Sequence, residues 1–123
     1  MGGIAPAAPP DIETVGRETF DARVLEAPGP IAVEFMSYGC SHCRALEPVL
    51  KQVAGALADR ERIVRVNVAA DPELAEFYGI RVTPTLVMFR DGGEVGRAEG
   101  PQPVAASLLA ALRRPFETGP DAS

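Results

Sequence analysis

Cys40-Ser41-His42-Cys43 contains both cysteines and the single histidine of this 123-residue chain. Two thiols at that spacing close a disulfide within one turn of chain. A thiolate is favoured by helix N-terminal amides, a neighbouring imidazolium and a second thiol. The pair therefore reads as a redox couple whose first sulfur, Cys40, is nucleophilic near neutral pH. Other uses fit less well. So short a disulfide loop removes only about 2 kcal/mol of unfolded-state entropy. Structural zinc takes four Cys or His ligands, and this chain offers three, crowded into one segment. A c-type haem attachment needs a histidine after the second cysteine, where Arg44 stands. No cofactor and no metal are expected. The alternatives left standing are a vestigial pair and a metal or iron–sulfur cluster shared by two chains.

The elements that must position the thiols are legible on both sides. Ile31 to Met36 is an apolar run between Pro30 and Ser37-Tyr38-Gly39, the pattern of a buried strand with a loop at its carboxyl end. Open α/β sheets place their chemistry at such strand ends. Leu46, Val49, Leu50, Val53, Ala54 and Leu57 then recur at helical spacing, which predicts a helix over Ser41–Ala58 capped by Cys40 or Ser41 and kinked at Pro48. An acid in the middle of the strand, Glu34, is costly unless paired or protonated. The alternative is a strand-edge glutamate that reaches solvent.

Further along, Arg62–Val68 alternates as a strand, and Asp71-Pro72 reads as an N-cap and first turn of a short helix that stops at Gly79. Thr85–Arg90 and Glu94–Ala98 flank Asp91-Gly92-Gly93, a hairpin signal. Val104–Arg114 closes the chain with a helix that turns Leu108, Leu109 and Leu112 inward. Asp11–Val15 and Arg17–Leu25 supply an edge strand and a short helix at the start. The order βαβαβαββα gives an α/β domain with a mixed central sheet and helices on both faces. One domain is expected over residues 11–116, with a flexible arm at 1–10 and a flexible tail at 117–123. With no tryptophan, the core should be aliphatic.

The net charge of −5 argues against nucleic acid and anionic membranes as partners, because both select clusters of lysine and arginine. Residues 1–10 lack a basic region followed by a continuous apolar run, so no secretory signal is read there. No cysteine is spent on stapling the fold. A cytoplasmic location is expected, or a periplasmic or exported one if a leader was removed.

Together, Val33-Glu34-Phe35, Cys40-Ser-His-Cys43, Pro48, Val66-Asn67-Val68, Tyr78-Gly79-Ile80-Arg81, Thr83-Pro84-Thr85 and Gly100 resemble the thioredoxin superfamily from about Glu13 to Leu112. The resemblance implies a cis Pro84 packed against the disulfide, and a Thr83 backbone that pairs with an extended substrate strand. Gly39 and Gly100 would join Thr83 and Pro84 on the substrate-facing surface. It also implies that Glu34 stands for the family's buried acid, which moves a proton to and from Cys43, with Arg65 as its basic partner. The departures are informative. Gly39 replaces the usual tryptophan, and Ser41-His42 replaces Gly-Pro. His42 resembles the histidine of disulfide isomerases and periplasmic oxidants, where an imidazole stabilises the first thiolate. Each pKa unit removed from an ionised Cys40 makes the couple more oxidising by about 30 mV.

The resemblance thus implies a thiol–disulfide oxidoreductase that acts on protein or small-molecule disulfides. It needs an unidentified thiol reductant or reductase, and a monomer is expected. The rival is a non-catalytic binding or redox-sensing module on the same fold.

Overall fold

Period-two alternation decides the faces of the central strands. In β2 (Pro30–Met36), Ile31, Val33 and Phe35 point to one side while Ala32 and Glu34 point to the other. The computed structural model describes residues 12–58 and 60–117. The arm at 1–10 lies outside the described residues. So does the tail, apart from Glu117, which ends the last helix.

Among the described residues a five-stranded sheet runs in the order β1-β3-β2-β4-β5. β1 (Glu13–Thr14) and β2 are parallel to β3 (Arg62–Asn67). β4 (Thr85–Arg90) runs antiparallel to β2, and β5 (Gly93–Glu99) antiparallel to β4. The sheet is mixed, as the element order requires. Having strands on both edges and layers on both faces, β2 is buried from Ile31 to Met36.

α1 (Ser41–Leu57) and α3 (Ala105–Glu117) cover one face. Leu46, Leu50, Val53 and Leu57 form the inner stripe of α1 and meet Leu108 and Leu112 of α3 over Ala32, Leu86 and Met88. Each fully buried leucine contributes roughly 2 kcal/mol relative to exposure, so this stripe holds α1 to the sheet. The helix continues through Pro48 as one element. On the opposite face α2 (Pro72–Phe77) packs with Phe20 and Val24. The buried core is mostly aliphatic, as expected, and on this face it is joined by Phe20, Phe35, Phe89 and the half-buried Tyr78, whose rings cluster with centroids 5.5–6.0 Å apart.

Three local expectations change. The first helix contracts to one wide turn, Asp21–Leu25, in which the Glu26 N–H reaches back five residues to the Asp21 carbonyl at 2.8 Å. The Asp71 side chain does not cap α2; its Oδ1 accepts from the Arg17 N–H at 3.2 Å and ties the two segments together. The hairpin loop is Asp91-Gly92 alone, both with positive φ (51° and 84°), and Gly93 already belongs to β5. Behind the hairpin α3 packs tightly over Gly96: a Cβ there would lie 2.6 Å from Pro115 Cγ.

Candidate active site

β2 ends at Met36, Ser37-Tyr38-Gly39 turns the chain, and Cys40 takes the N-cap of α1 with extended backbone (φ −86°, ψ 117°). Its sulfur does what a capping oxygen does elsewhere, accepting the Cys43 N–H, the third of the helix, at 3.1 Å. Both cysteines are free, Cys40 partly exposed and Cys43 only 2% exposed. Partial burial pushes the Cys40 thiol up, but hydrogen bonds from the Cys43 and Thr83 side chains and from the Cys43 and His42 amides outweigh it. The net shift is below the ordinary value. Cys43 moves the other way, to about 11, mainly by burial and then by its contact with Cys40. One sulfur is thus partly exposed and the more acidic, the other sequestered and protonated.

Opposite the sulfurs stands the start of β4. The Thr83-Pro84 bond is cis, Pro84 is buried, and Cys40 Sγ lies 3.5 Å from the Thr83 carbonyl. The Gly100 N–H donates to the Pro84 carbonyl at 2.8 Å, and Gly100 has φ +54°, which a residue with a Cβ adopts only under strain. His42 is partly buried, and its Nε2 is 3.0 Å from the Pro101 carbonyl, which fits a proton on that nitrogen. The imidazole is thus turned to the loop after β5, while the His42 backbone amide is among the groups that lower the Cys40 thiol. Gly39 is exposed beside Cys40, with nothing within 4 Å of where a Cβ would stand.

Beneath the helix start lies an acid. Glu34 is fully buried on the α1 side of β2, directly across the parallel pair from Arg65. The Arg65 Nε stands 3.3 Å from Glu34 Oε1, close enough for attraction but not aligned as a hydrogen bond. Neither Glu34 oxygen has a hydrogen-bond partner among the described residues. Burial pushes the carboxyl up to about 7 against the opposing pull of Arg65. Instead of forking onto Glu34, Arg65 directs its Nη2 to Glu47 Oε1 on α1. Arg65 and Glu47 line a pocket of about 180 Å3 with Met36, Tyr38, Arg44 and Cys43. The pocket joins the buried sulfur to the acid's partner.

Sequence reasoning brings Cys40, Cys43, His42, Gly39, Glu34, Arg65, Thr83, Pro84 and Gly100 to this end of the sheet, and the structure gathers them around the start of α1. Glu47 is the residue it misses. The signal was present, since Glu47 follows Cys43 by one helical turn and so shares its face. Among the described residues, no group of three or more His, Cys, Asp or Glu converges to hold a metal ion. No helix there is long and apolar enough to cross a membrane.

A family model described as Thioredoxin matches residues 11–114. The chain is similar to Thioredoxin 1 of Synechococcus elongatus, 39% identical over 69% of this chain and 79% of that protein. It is also similar to Thioredoxin C-2 of Corynebacterium nephridii, 39% identical over 77% of this chain and 86% of that protein. Over 89% of its length it is 32% identical to Protein disulfide-isomerase A3 of Gallus gallus, covering 21% of that larger protein. With a dithiol at a helix mouth facing a cis proline, these likenesses settle the kinship: the chain belongs to the thioredoxin family of disulfide oxidoreductases.

Proposed function

We propose that the protein exchanges disulfides with protein substrates through Cys40 and Cys43 in two steps. In the reducing direction the Cys40 thiolate attacks a substrate disulfide. The substrate S–S bond breaks, a Cys40–substrate disulfide forms, and one substrate sulfur leaves and takes a proton from water. Cys43 then loses its proton to Glu34 and attacks the Cys40 sulfur. This releases the second substrate thiolate and leaves a Cys40–Cys43 disulfide. An external thiol reductant returns two electrons to restore the dithiol, and oxidation of substrates runs the same steps backward.

The observation that carries this reading is the contrast between the sulfurs: Cys40 caps the helix and is partly exposed, while Cys43 is buried beside the pocket that Arg65 shares. Thr83, Pro84, Gly39 and Gly100 form the surface that an extended substrate segment meets. We further propose that the couple is more oxidising than a Cys-Gly-Pro-Cys pair, since amide donation to Cys40 favours the dithiol form. We place it as a monomer in a reducing cytoplasm, where cysteines are kept for catalysis.

Insulin reduction by dithiothreitol tests the activity. Acceleration by the wild type, and none by Cys40→Ser, is expected; a module that only binds or senses leaves the rate unchanged. Cys43→Ser should accumulate a mixed disulfide visible by mass spectrometry, and absence of that adduct overturns the assignment of roles. Equilibration with glutathione places the potential.

A further inference from the structure

Arg65 is the only cation at ion-pair distance from Glu34 among the described residues, yet the two do not form an aligned pair. The reason lies on α1. Glu47, half-buried, takes the Arg65 Nη2 in the shorter of the guanidinium's two carboxylate contacts, and Lys51 flanks Glu47 Oε2 at 3.8 Å one turn on. Only the Nε edge is left for the buried acid. Glu47 thus competes with Glu34 for one guanidinium, and its own negative charge also disfavours ionisation of Glu34.

We propose that Glu47 is a positioning residue that holds Arg65 off Glu34 and thereby sets the pH at which Glu34 exchanges a proton with Cys43. This rests on the reading of Glu34 as the base for Cys43. The other charged or titratable groups around the cluster are Lys51, Arg44 and Cys43 on α1 and Tyr38 in the preceding loop. From β4 and α3 the layer receives Leu86, Leu108 and Leu112, which do not titrate. Glu47 carries the control because it is the acid that touches Arg65 from outside the buried layer, so its removal changes charge without opening the core.

The test uses the full chain and the chromogenic disulfide of 5-thio-2-nitrobenzoate. Cys40 forms the mixed disulfide first. Cys43 then attacks the Cys40 sulfur, the Cys40–Cys43 bond forms, the thionitrobenzoate anion leaves, and the Cys43 proton passes to Glu34. In Glu47→Gln, the freed Arg65 settles on Glu34, and the pH midpoint of thionitrobenzoate release should fall by about one unit, the low end of what an opposite charge within 4–6 Å brings. Glu47→Asp, which keeps the charge, should restore most of that shift. A purely structural role for Glu47 lowers stability in both variants without moving the midpoint. Carboxyl carbon NMR of Glu34 reads the acid directly. If it titrates at the same pH in Glu47→Gln and the wild type, the proposal is overturned. If its titration moves and thionitrobenzoate release does not, control by Glu47 stands and the assignment of Glu34 as base falls.

Discussion

Replacing Glu34 by glutamine should make the protein more stable at neutral pH and leave the advantage to vanish in acid. Burial raises the folded-state carboxyl from an ordinary 4.5 to about 7, so between those values the native state holds a proton that the unfolded chain has released. Unfolding then releases a proton, and stability falls by about 1.4 kcal/mol for each pH unit gained across the window. From below pH 4.5 to above pH 7 the loss sums to about 3 kcal/mol, a large fraction of the 5–15 kcal/mol typical of a domain. Glutamine has the same shape and cannot ionise. Removing one member of a buried pair usually strands the other, but here Arg65 keeps Glu47. Any residual packing cost is independent of pH and separates from the effect sought. Urea unfolding of the reduced wild type and Glu34→Gln at pH 4.5, 5.5, 6.5 and 7.5 measures the difference. The second buried acid, Glu61, is also raised to about 7 by burial, but it is present in both proteins and cancels. A stability difference that stays flat from pH 4.5 to 7.5, or grows toward acid, refutes the reasoning.

Alkylation of the reduced protein at pH 7 should modify Cys40 at least about 100-fold faster than Cys43, because a thiol near 11 is ionised in only roughly one molecule in ten thousand; peptide mapping after timed quenching gives the ratio, and equal rates contradict the assignment. Gly96→Val should destabilise the fold by about 1–3 kcal/mol, since α3 must retreat from a Cβ placed 2.6 Å from Pro115 Cγ; an unchanged urea midpoint shows that the helix end yields freely. Gly100→Ala should cost about 1 kcal/mol through its φ of +54°, the nearest side-chain atom to the new Cβ being His42 Cε1 at an ordinary 3.8 Å. A loss well above that would mean that packing, not backbone strain, dominates there.

Elements written in local patterns were readable before any coordinates. The apolar run Ile31–Met36, the alternation in Arg62–Val68, the Asp-Gly hairpin and the leucine stripe of α1 each depend on neighbours in sequence, and each stands within a residue or two of its expected bounds. The buried acid was readable because a charge inside an apolar strand is conspicuous. What escaped depends on distant partners. Asp71 has the type and place of a cap, but its carboxylate is claimed by the Arg17 amide, 54 residues away in sequence. Phe20, Phe35 and Phe89 lie far apart in sequence, before the first helical turn, in β2 and in β4, so no local window reveals that they share one layer. His42 was read by type, whereas its ring direction is set by the Pro101 carbonyl across the fold. Glu47 looked like one more surface acid on an amphipathic helix until Arg65 emerged from β3 beneath it.

The order of the two chemical steps follows from what holds Cys43 back. Part of its elevation comes from burial, which no substrate removes, but part comes from Cys40, through the hydrogen bond between the thiols and the repulsion of a neighbouring thiolate. Both contributions from Cys40 fade when that sulfur joins a substrate, because a disulfide sulfur carries no charge and accepts the Cys43 S–H only weakly. Cys43 therefore becomes easier to ionise at the moment a target for it exists. Glu34 sits at about 7, above an ordinary carboxyl, and so narrows the remaining gap between acid and thiol. With Glu34 as the proposed base, the burial that costs the fold stability at β2 also brings the acid's affinity for a proton toward that of the thiol, and burial of the second sulfur keeps it silent until the first has reacted.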